Sequence, residues 1–156
     1  MSKYDAVVLL GFGGPERSEE IRPFLDRVLQ GRPIPQARYE AVVEHYVRIG
    51  GRSPFNELTQ QQAAALEAEL KKRGTALPVF VAYKNAAPFF GDTERRLREG
   101  AYGKPLAIIL AVHQSPASWD KYKDFPGAAY APPFYEHPLF VRANADRVRG
   151  ALRQLG

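Results

Sequence analysis

Cysteine is missing altogether from the 156-residue chain, which also has only one methionine, one tryptophan and three histidines. The absence of thiols removes disulfide scaffolds, thiolate nucleophiles and every Cys-ligated zinc or iron–sulfur centre. It is compatible with a reducing compartment, and a cytoplasmic location is expected. No uninterrupted apolar stretch approaches the ~20 residues of a membrane span. The opening Met1-Ser2-Lys3-Tyr4-Asp5 has no secretory apolar region. His45, His113 and His137 do not form a metal-ligand spacing such as H-x-x-x-H. G-x-S-x-G is absent too, which removes the nucleophile elbow of a Ser-His-Asp hydrolase.

Charge is plentiful, with 22 Lys and Arg against 17 Asp and Glu for a net +5. The cations are scattered and interleaved with acids, as in Glu94-Arg95-Arg96-Leu97-Arg98-Glu99, which is the pattern of a solvated helix face. A nucleic-acid partner is therefore not expected, and the mild basic excess equally suits an anionic small molecule. At 45% hydrophobic and 25% charged, the composition is that of an ordinary globular chain of single-domain length. Glycine and proline, 13 each, announce many turns.

Asp5–Leu10 is a short apolar run closed by Gly11-Phe12-Gly13-Gly14-Pro15, and the lack of polar alternation predicts a strand buried on both faces. Ser18 reads as an N-cap for a helix carrying Ile21, Phe24, Leu25, Val28 and Leu29 up to Gly31. A second helix is predicted over 36–49, with Tyr39, Val42, Val43, Tyr46, Val47 and Ile49 on one side. A third spans about 56–73, capped by Asn56, with Leu58, Ala65, Leu66 and Leu70 on its inner face. Leu77–Tyr83 and Pro105–Val112 read as strands, Asp92–Arg98 as a short helix, Ala128–Ala131 as a weak strand and Pro138–Leu155 as a final helix. The alternation predicts one α/β domain over 1–156, a three-layer sandwich on a parallel sheet of about four strands. Ligands in such sheets bind beyond the carboxyl ends of the strands, which gathers Phe12–Gly14, Lys84–Asn85 and His113–Ser118.

Several segments near that edge carry two readings each. Gly11–Pro15 is a tight turn or a phosphate-cradling loop, although it lacks dinucleotide and P-loop spacing and Pro15 removes a donor. It also reads as clearance for something flat and large, with Phe12 facing it. Gly50-Gly51-Arg52-Ser53-Pro54 is a helix C-cap with a turn, or a guanidinium and hydroxyl set for a carboxylate or phosphate. His113, at the end of a central strand, is a structural histidine or a base and metal ligand. Trp119 and Tyr122 are core packing or a wall for an aromatic ligand.

Taken in order, Val-Leu-Leu-Gly-Phe-Gly-Gly-Pro-Glu, the Arg-Ile-Gly-Gly-x-Ser-Pro block at 48–54, the Gln-Gln helix after it and Ala-Tyr-Lys-x-x-x-Pro-Phe at 82–89 resemble the ferrochelatase family. The likeness runs from about residue 4 to the C-terminus, and it covers the first of the two similar α/β halves that family members fold into. The resemblance implies insertion of ferrous iron into a protoporphyrin or coproporphyrin, with Fe2+ and porphyrin as substrates and no tightly bound cofactor. Phe12 falls where some relatives have a metal-ligating Tyr, His45 and Tyr46 on a basic–Tyr pair bordering the tetrapyrrole, and Ser53 on a ligand-contacting Ser. Lys84 falls on a basic position and Tyr122 on a Tyr of the cleft wall, while Leu29 replaces an Arg. Arg52 and Ser53 are expected at propionates, and Phe12 and Tyr122 against the macrocycle. The family's catalytic His and its acidic partner belong to the second half, and His113 is not their equivalent by motif. It is nevertheless the best candidate here for proton acceptor and metal ligand. Three readings stay open: half of a chelatase site completed by a homodimer or a second polypeptide, a porphyrin-binding or regulatory module without chemistry, and an N-terminal fragment of a longer chelatase.

Overall fold

The most apolar segment of the chain becomes the centre of its sheet. In the computed structural model, which describes residues 3–111 and 119–155, β1 (Ala6–Gly11) is buried along its whole length. Parallel neighbours β2 (Val79–Tyr83) and β3 (Pro105–Ile109) flank it, and β4 (Ala129–Tyr130) pairs with β3, giving the order β2-β1-β3-β4. The register aligns Gly11 with Tyr83 and Leu10 with Ile109, so the strands end at one edge.

Helices α1 (Ile21–Leu29), α2 (Gln36–Arg48), α3 (Phe55–Lys72), α4 (Phe90–Glu99) and α5 (Pro138–Leu155) complete the described elements, with short 3-10 turns at Ser18–Glu20 and Asp120–Tyr122. Alternate side chains of β1 feed two cores. Ala6, Val8 and Leu10 pack with Leu97 of α4, Tyr122 and Phe125, with Trp119 against their rim. Val7 and Leu9 pack with Ala63 of α3, Val81 and Tyr83. The sheet is thus covered on both faces, as a parallel sheet demands, and the three-layer α/β architecture read from the sequence is the observed one. A third cluster joins Ile21, Phe24 and Leu25 of α1 to Tyr39, Val42, Val43 and Tyr46 of α2. Among the described residues, no helix is long and apolar enough to cross a membrane.

Several local expectations are corrected. Asn56 is not the cap of α3: the helix begins at Phe55, and Asn56 is buried and turned inward. The inner stripe accordingly runs through Asn56, Thr59, Ala63, Leu66 and Leu70, leaving Leu58 and Ala65 exposed. Val47 and Ile49 are exposed as well, because the α1–α2 contact ends at Tyr46. Ser18 lies inside the 3-10 turn rather than capping it. β2 starts at Val79, β3 stops at Ile109 and β4 shrinks to two residues. α4 gains two residues at its start and one at its end, the start fixed by the Asp92 carboxylate accepting the Phe89 N–H at 3.0 Å.

The turn after β1 is packed without slack. Gly13 has φ +81°, and a Cβ there would lie 2.8 Å from Ala86 Cβ and 2.9 Å from Tyr83 Cβ. Gly50 has a similar φ of +87° with nothing within 4 Å of an added Cβ. Left-handed backbone costs an L-residue roughly 1–2 kcal/mol, and overpacking adds about 1–3 kcal/mol. Gly13→Ala is therefore expected to destabilise by more than Gly50→Ala, by the overpacking increment, in urea unfolding with unchanged m-value. Equal losses for the two variants would show that the Gly13 neighbourhood yields.

Candidate functional site

The loops leaving β1 and β2 are laced together by their backbones. Lys84 N–H donates to Gly11 O at 3.0 Å, Asn85 N–H to Phe12 O at 3.1 Å, and the Asn85 side-chain amide to the same oxygen at 3.2 Å. Arg27 of α1 donates through Nε to Asn85 O at 2.9 Å. On the other side Asn56 holds the Gly14 peptide from both ends, accepting its N–H at 3.0 Å and donating to its carbonyl at 3.0 Å. Ser53 N–H donates to Pro15 O at 2.8 Å. A Cβ on Gly14 would fall 2.5 Å from Ser53 Cβ, so the bare glycine is what lets these two segments touch.

Phe12 leaves this fixed turn toward solvent, 42% exposed. Its ring meets buried Phe24 edge-on at 6.0 Å, and Phe24 meets Tyr46 at 5.9 Å, a chain of aromatics reaching from the sheet edge to α2. Beside Phe12 opens a pocket of about 400 Å³ whose walls are Val28, Gln30, Asn85 and the cations Arg32, Lys84 and Lys121. Arg32 is anchored on the last carbonyls of α1, Nε to Leu29 O at 3.1 Å and Nη2 to Val28 O at 3.3 Å, where a cation also meets the negative end of the helix. Lys84 Nζ donates to Asp124 Oδ2 at 3.0 Å and to Lys121 O, and lies 5.9 Å from the Tyr122 ring centroid. A neighbouring cavity of about 500 Å³ shares Gln30, Lys84 and Asn85 and adds Arg27, Phe89 and Phe90. An apolar ring, adjacent aliphatic surface and three cations suit a flat apolar anion bearing carboxylates.

The predicted residues divide. Phe12 and Lys84 line one pocket, and Tyr46 adjoins it through Phe24. Ser53 packs against Gly14, and Arg52 pairs with Glu57 at 2.7 Å on the surface. His45 is exposed on α2. Tyr122 is 6% exposed and belongs to the core, touching the pocket only through Lys84. His113 lies outside the described residues. Burial pushes the Tyr46 and Tyr122 phenols above their ordinary range, so both are neutral near pH 7 and neither is an anionic ligand there. Among the described residues, no group of three or more His, Asp or Glu is arranged to hold a metal ion. Sequence reasoning missed Arg32, Lys121 and Gln30. The signal available for Arg32 was its place directly after the glycine that ends a helix, with prolines at 33 and 35.

A smaller cavity of about 280 Å³ lies along Gly14, Pro15, Glu16, Glu19, Glu20 and Arg27. Glu20 accepts the Glu16 N–H at 2.9 Å and Arg17 Nη2 at 2.8 Å, and these two donors hold its carboxyl below the usual range. A depressed folded-state pKa adds stability above the unfolded value of about 4.3, and the gain is lost as pH falls through the folded value. Glu20→Gln is therefore expected to be less stable than the parent at neutral pH, with the difference closing in acid. A pH-independent difference between the two unfolding curves would refute the ionised contact. Asn56→Ala leaves the buried Gly14 N–H and carbonyl unpaired at about 1–3 kcal/mol per group, and its Gly14 amide is expected to lose hydrogen-exchange protection selectively.

The family model for ferrochelatase matches residues 4–156. A coproporphyrin III ferrochelatase of Mycolicibacterium smegmatis is 35% identical over 97% of this chain and 48% of its own length. Its counterparts from Nocardia farcinica (35% identical, 97% of this chain, 46% of that protein) and Mycobacterium tuberculosis (34%, 96%, 45%) match similarly. The chain spans about half the length of the curated relatives it matches. On these matches, this chain belongs to the ferrochelatase family.

Proposed function

We propose that the chain supplies half of a tetrapyrrole cleft in which ferrous iron is inserted into a porphyrin, in haem biosynthesis. The observation that carries this reading is exposed Phe12 beside Arg32, Lys84 and Lys121 at the carboxyl edge of the sheet. A porphyrin offers an apolar plane to the ring and propionates to the cations. The names of the relatives favour coproporphyrin III, whose four propionates give every cation a partner. Arg52 and Ser53 are proposed as further propionate contacts, His45 and Tyr46 as the border toward α2, and Tyr122 as support for Lys84 from beneath.

Insertion exchanges two pyrrole protons for the metal, so a base must accept them. Phe12 has no atom that can ligate iron, and the neutral phenols of Tyr46 and Tyr122 accept no proton at pH 7. His113 is the proposed acceptor and metal contact, and it needs an acid from a second copy or a second polypeptide, because one imidazole does not both hold the metal and take two protons. Phe12 in the place of a ligating group also favours a second reading, a module that binds porphyrin without turnover.

The deciding experiment mixes chain, Fe2+ or Zn2+ and porphyrin anaerobically and follows the Soret and Q bands. A Soret shift on binding is expected, with turnover about 10²–10⁴-fold below a full-length relative and lower still in His113→Ala. Turnover equal to the full-length enzyme would overturn the half-site reading, and an unperturbed Soret band would overturn the tetrapyrrole reading. Phe12→Ala removes an aromatic contact worth ~0.5–1.5 kcal/mol beyond its area, so affinity should fall roughly tenfold. Lys84→Gln and Arg32→Gln should weaken a tetracarboxylate porphyrin more than a dicarboxylate one. Arg52→Ala combined with Ser53→Ala should also weaken binding, and unchanged titration of that variant would remove both residues from the site.

A further inference from the structure

Strand β2 stands at the margin of the sheet, with β1 on one side and, among the described residues, no strand on the other. Its even-numbered positions turn their peptide groups toward β1, with the Val7 N–H donating to Pro78 O and the Lys84 N–H donating to Gly11 O. Direction alternates along a strand, so Val79, Val81 and Tyr83 turn theirs outward. An outward row of this kind is a template for another strand. Here it is covered. The Glu67 carboxylate of α3 accepts the Val79 N–H at 2.8 Å, and the buried Thr93 hydroxyl of α4 donates to Val81 O at 2.8 Å. The Tyr83 N–H donates to Pro88 O at 2.8 Å, where the chain folds back and Phe89 bridges to Tyr83.

We propose that the outer edge of β2 is a pairing surface for β2 of a second copy of this chain, held closed by Glu67 and Thr93. Antiparallel pairing about a two-fold axis at Phe80 sets Val79 opposite Val81 of the second copy. Hydrogen-bonded residues opposite each other in an antiparallel pair exchange both of their N–H···O bonds. One of these bonds runs from the Val79 N–H to the Val81 carbonyl, and the symmetry makes it twice. Glu67 and Thr93 take those two groups, so the covers sit on the donor and the acceptor of the same intermolecular bond. The bridge from Tyr83 to Phe89 stops pairing beyond Val81 and confines the surface to the first half of the strand. The flank itself admits a neighbour. A cavity of about 390 Å³ lies beside Val79, walled by the short side chains Ala63, Ala64 and Ala68 of α3, so no bulk there holds two copies apart. A carboxylate is a stronger acceptor than a peptide oxygen, and one from the same chain costs no translational freedom. The covers therefore win over a second copy while they are intact. None of this depends on the tetrapyrrole reading.

The test opens the covers one at a time in the full chain. Glu67 is exposed, so Glu67→Ala should leave circular dichroism and Tm intact, while Glu67→Gln keeps a carbonyl for the Val79 N–H. In dilute solution the Val79 amide is expected to exchange slowly in the parent and in Glu67→Gln, and about tenfold faster in Glu67→Ala. Raising the concentration of Glu67→Ala should restore that protection, together with a dimer in sedimentation velocity. Adding Thr93→Val frees the Val81 carbonyl and should tighten the dimer up to about tenfold, whereas adding Thr93→Ser keeps the donor and should not. Val79→Pro in the Glu67→Ala chain removes the outward donor at an edge position where proline is tolerated, and should abolish the added association. Slow Val79 exchange in dilute Glu67→Ala would show that the carboxylate covers nothing and would overturn the proposal. Fast exchange without protection at any concentration would show that the edge does not pair, with the same consequence. Association of the Val79→Pro variant as strong as that of Glu67→Ala would place the contact on another face and also overturn it.

Discussion

The two-way hydrogen bond between the Asn56 amide and the Gly14 peptide is the constraint on which the site depends. A loop that crosses the end of a buried parallel sheet takes its peptide groups out of water, and each must find a partner inside. Gly11 and Phe12 satisfy theirs with Lys84 and Asn85 of the next strand's loop. Gly14 has no strand to pair with, and a side-chain amide is the one group that offers donor and acceptor together at peptide spacing. Asn56 fills that role from the first turn of α3, and its inward position sets the rotation of the whole helix. Thr59, Ala63, Leu66 and Leu70 then follow it onto the sheet. One amide thereby ties the site loop, the helix orientation and the core on that face to a single geometry.

A rigid loop is what allows an exposed aromatic to be useful. Phe12 shows nearly half of its surface to water, an arrangement that buries little and would relax if its backbone were free. Its carbonyl is held twice by Asn85, and its ring is steadied edge-on by Phe24, which the α1–α2 cluster fixes in turn. The cations nearby are pre-placed in the same way. Arg32 is held by the carbonyls ending α1, and Lys84 by Asp124 and a backbone oxygen above the Tyr122 ring. Groups already ordered lose less entropy when an anion arrives. Tyr122 thus contributes by burial, from the core side.

Much of the architecture was legible because apolar runs without alternation admit few alternatives. Asp5–Leu10 and Pro105–Val112 are such runs, and the carboxyl-edge rule gathers Phe12 and Lys84. The errors have separate physical causes. An asparagine at a helix start caps by default, and only the buried Gly14 peptide across the turn redirects Asn56. Leu58 and Val47 fit a helical period and still face solvent, because periodicity states which residues share a side but not how far the covering element extends. Arg32 and Lys121 sit in loops, where no period exists and three-dimensional closure alone makes them neighbours. Trp119 and Tyr122, three apart, packed into the core as well as they would have faced a ligand, and spacing cannot separate those outcomes.

α3 and α5 differ in how their apolar sides are covered. Both helices have 18 residues, and both carry apolar side chains at helical intervals. α3 follows a loop pinned to the sheet edge and turns its stripe onto β1 and β2. α5 follows β4, a strand of two residues at the sheet's margin, and a proline-rich turn in which Phe134 meets Phe140 edge-on. Among the described residues β4 is the sheet's last strand on that side, and no residue of α5 is buried. The same margin explains the asymmetry of charge. The solvent face of α4 intersperses both signs, with Glu94 beside Arg98 and Asp92 beside Arg95. α5 instead flanks its apolar stripe with Arg142, Arg149 and Arg153, and Asp146 is its single acid.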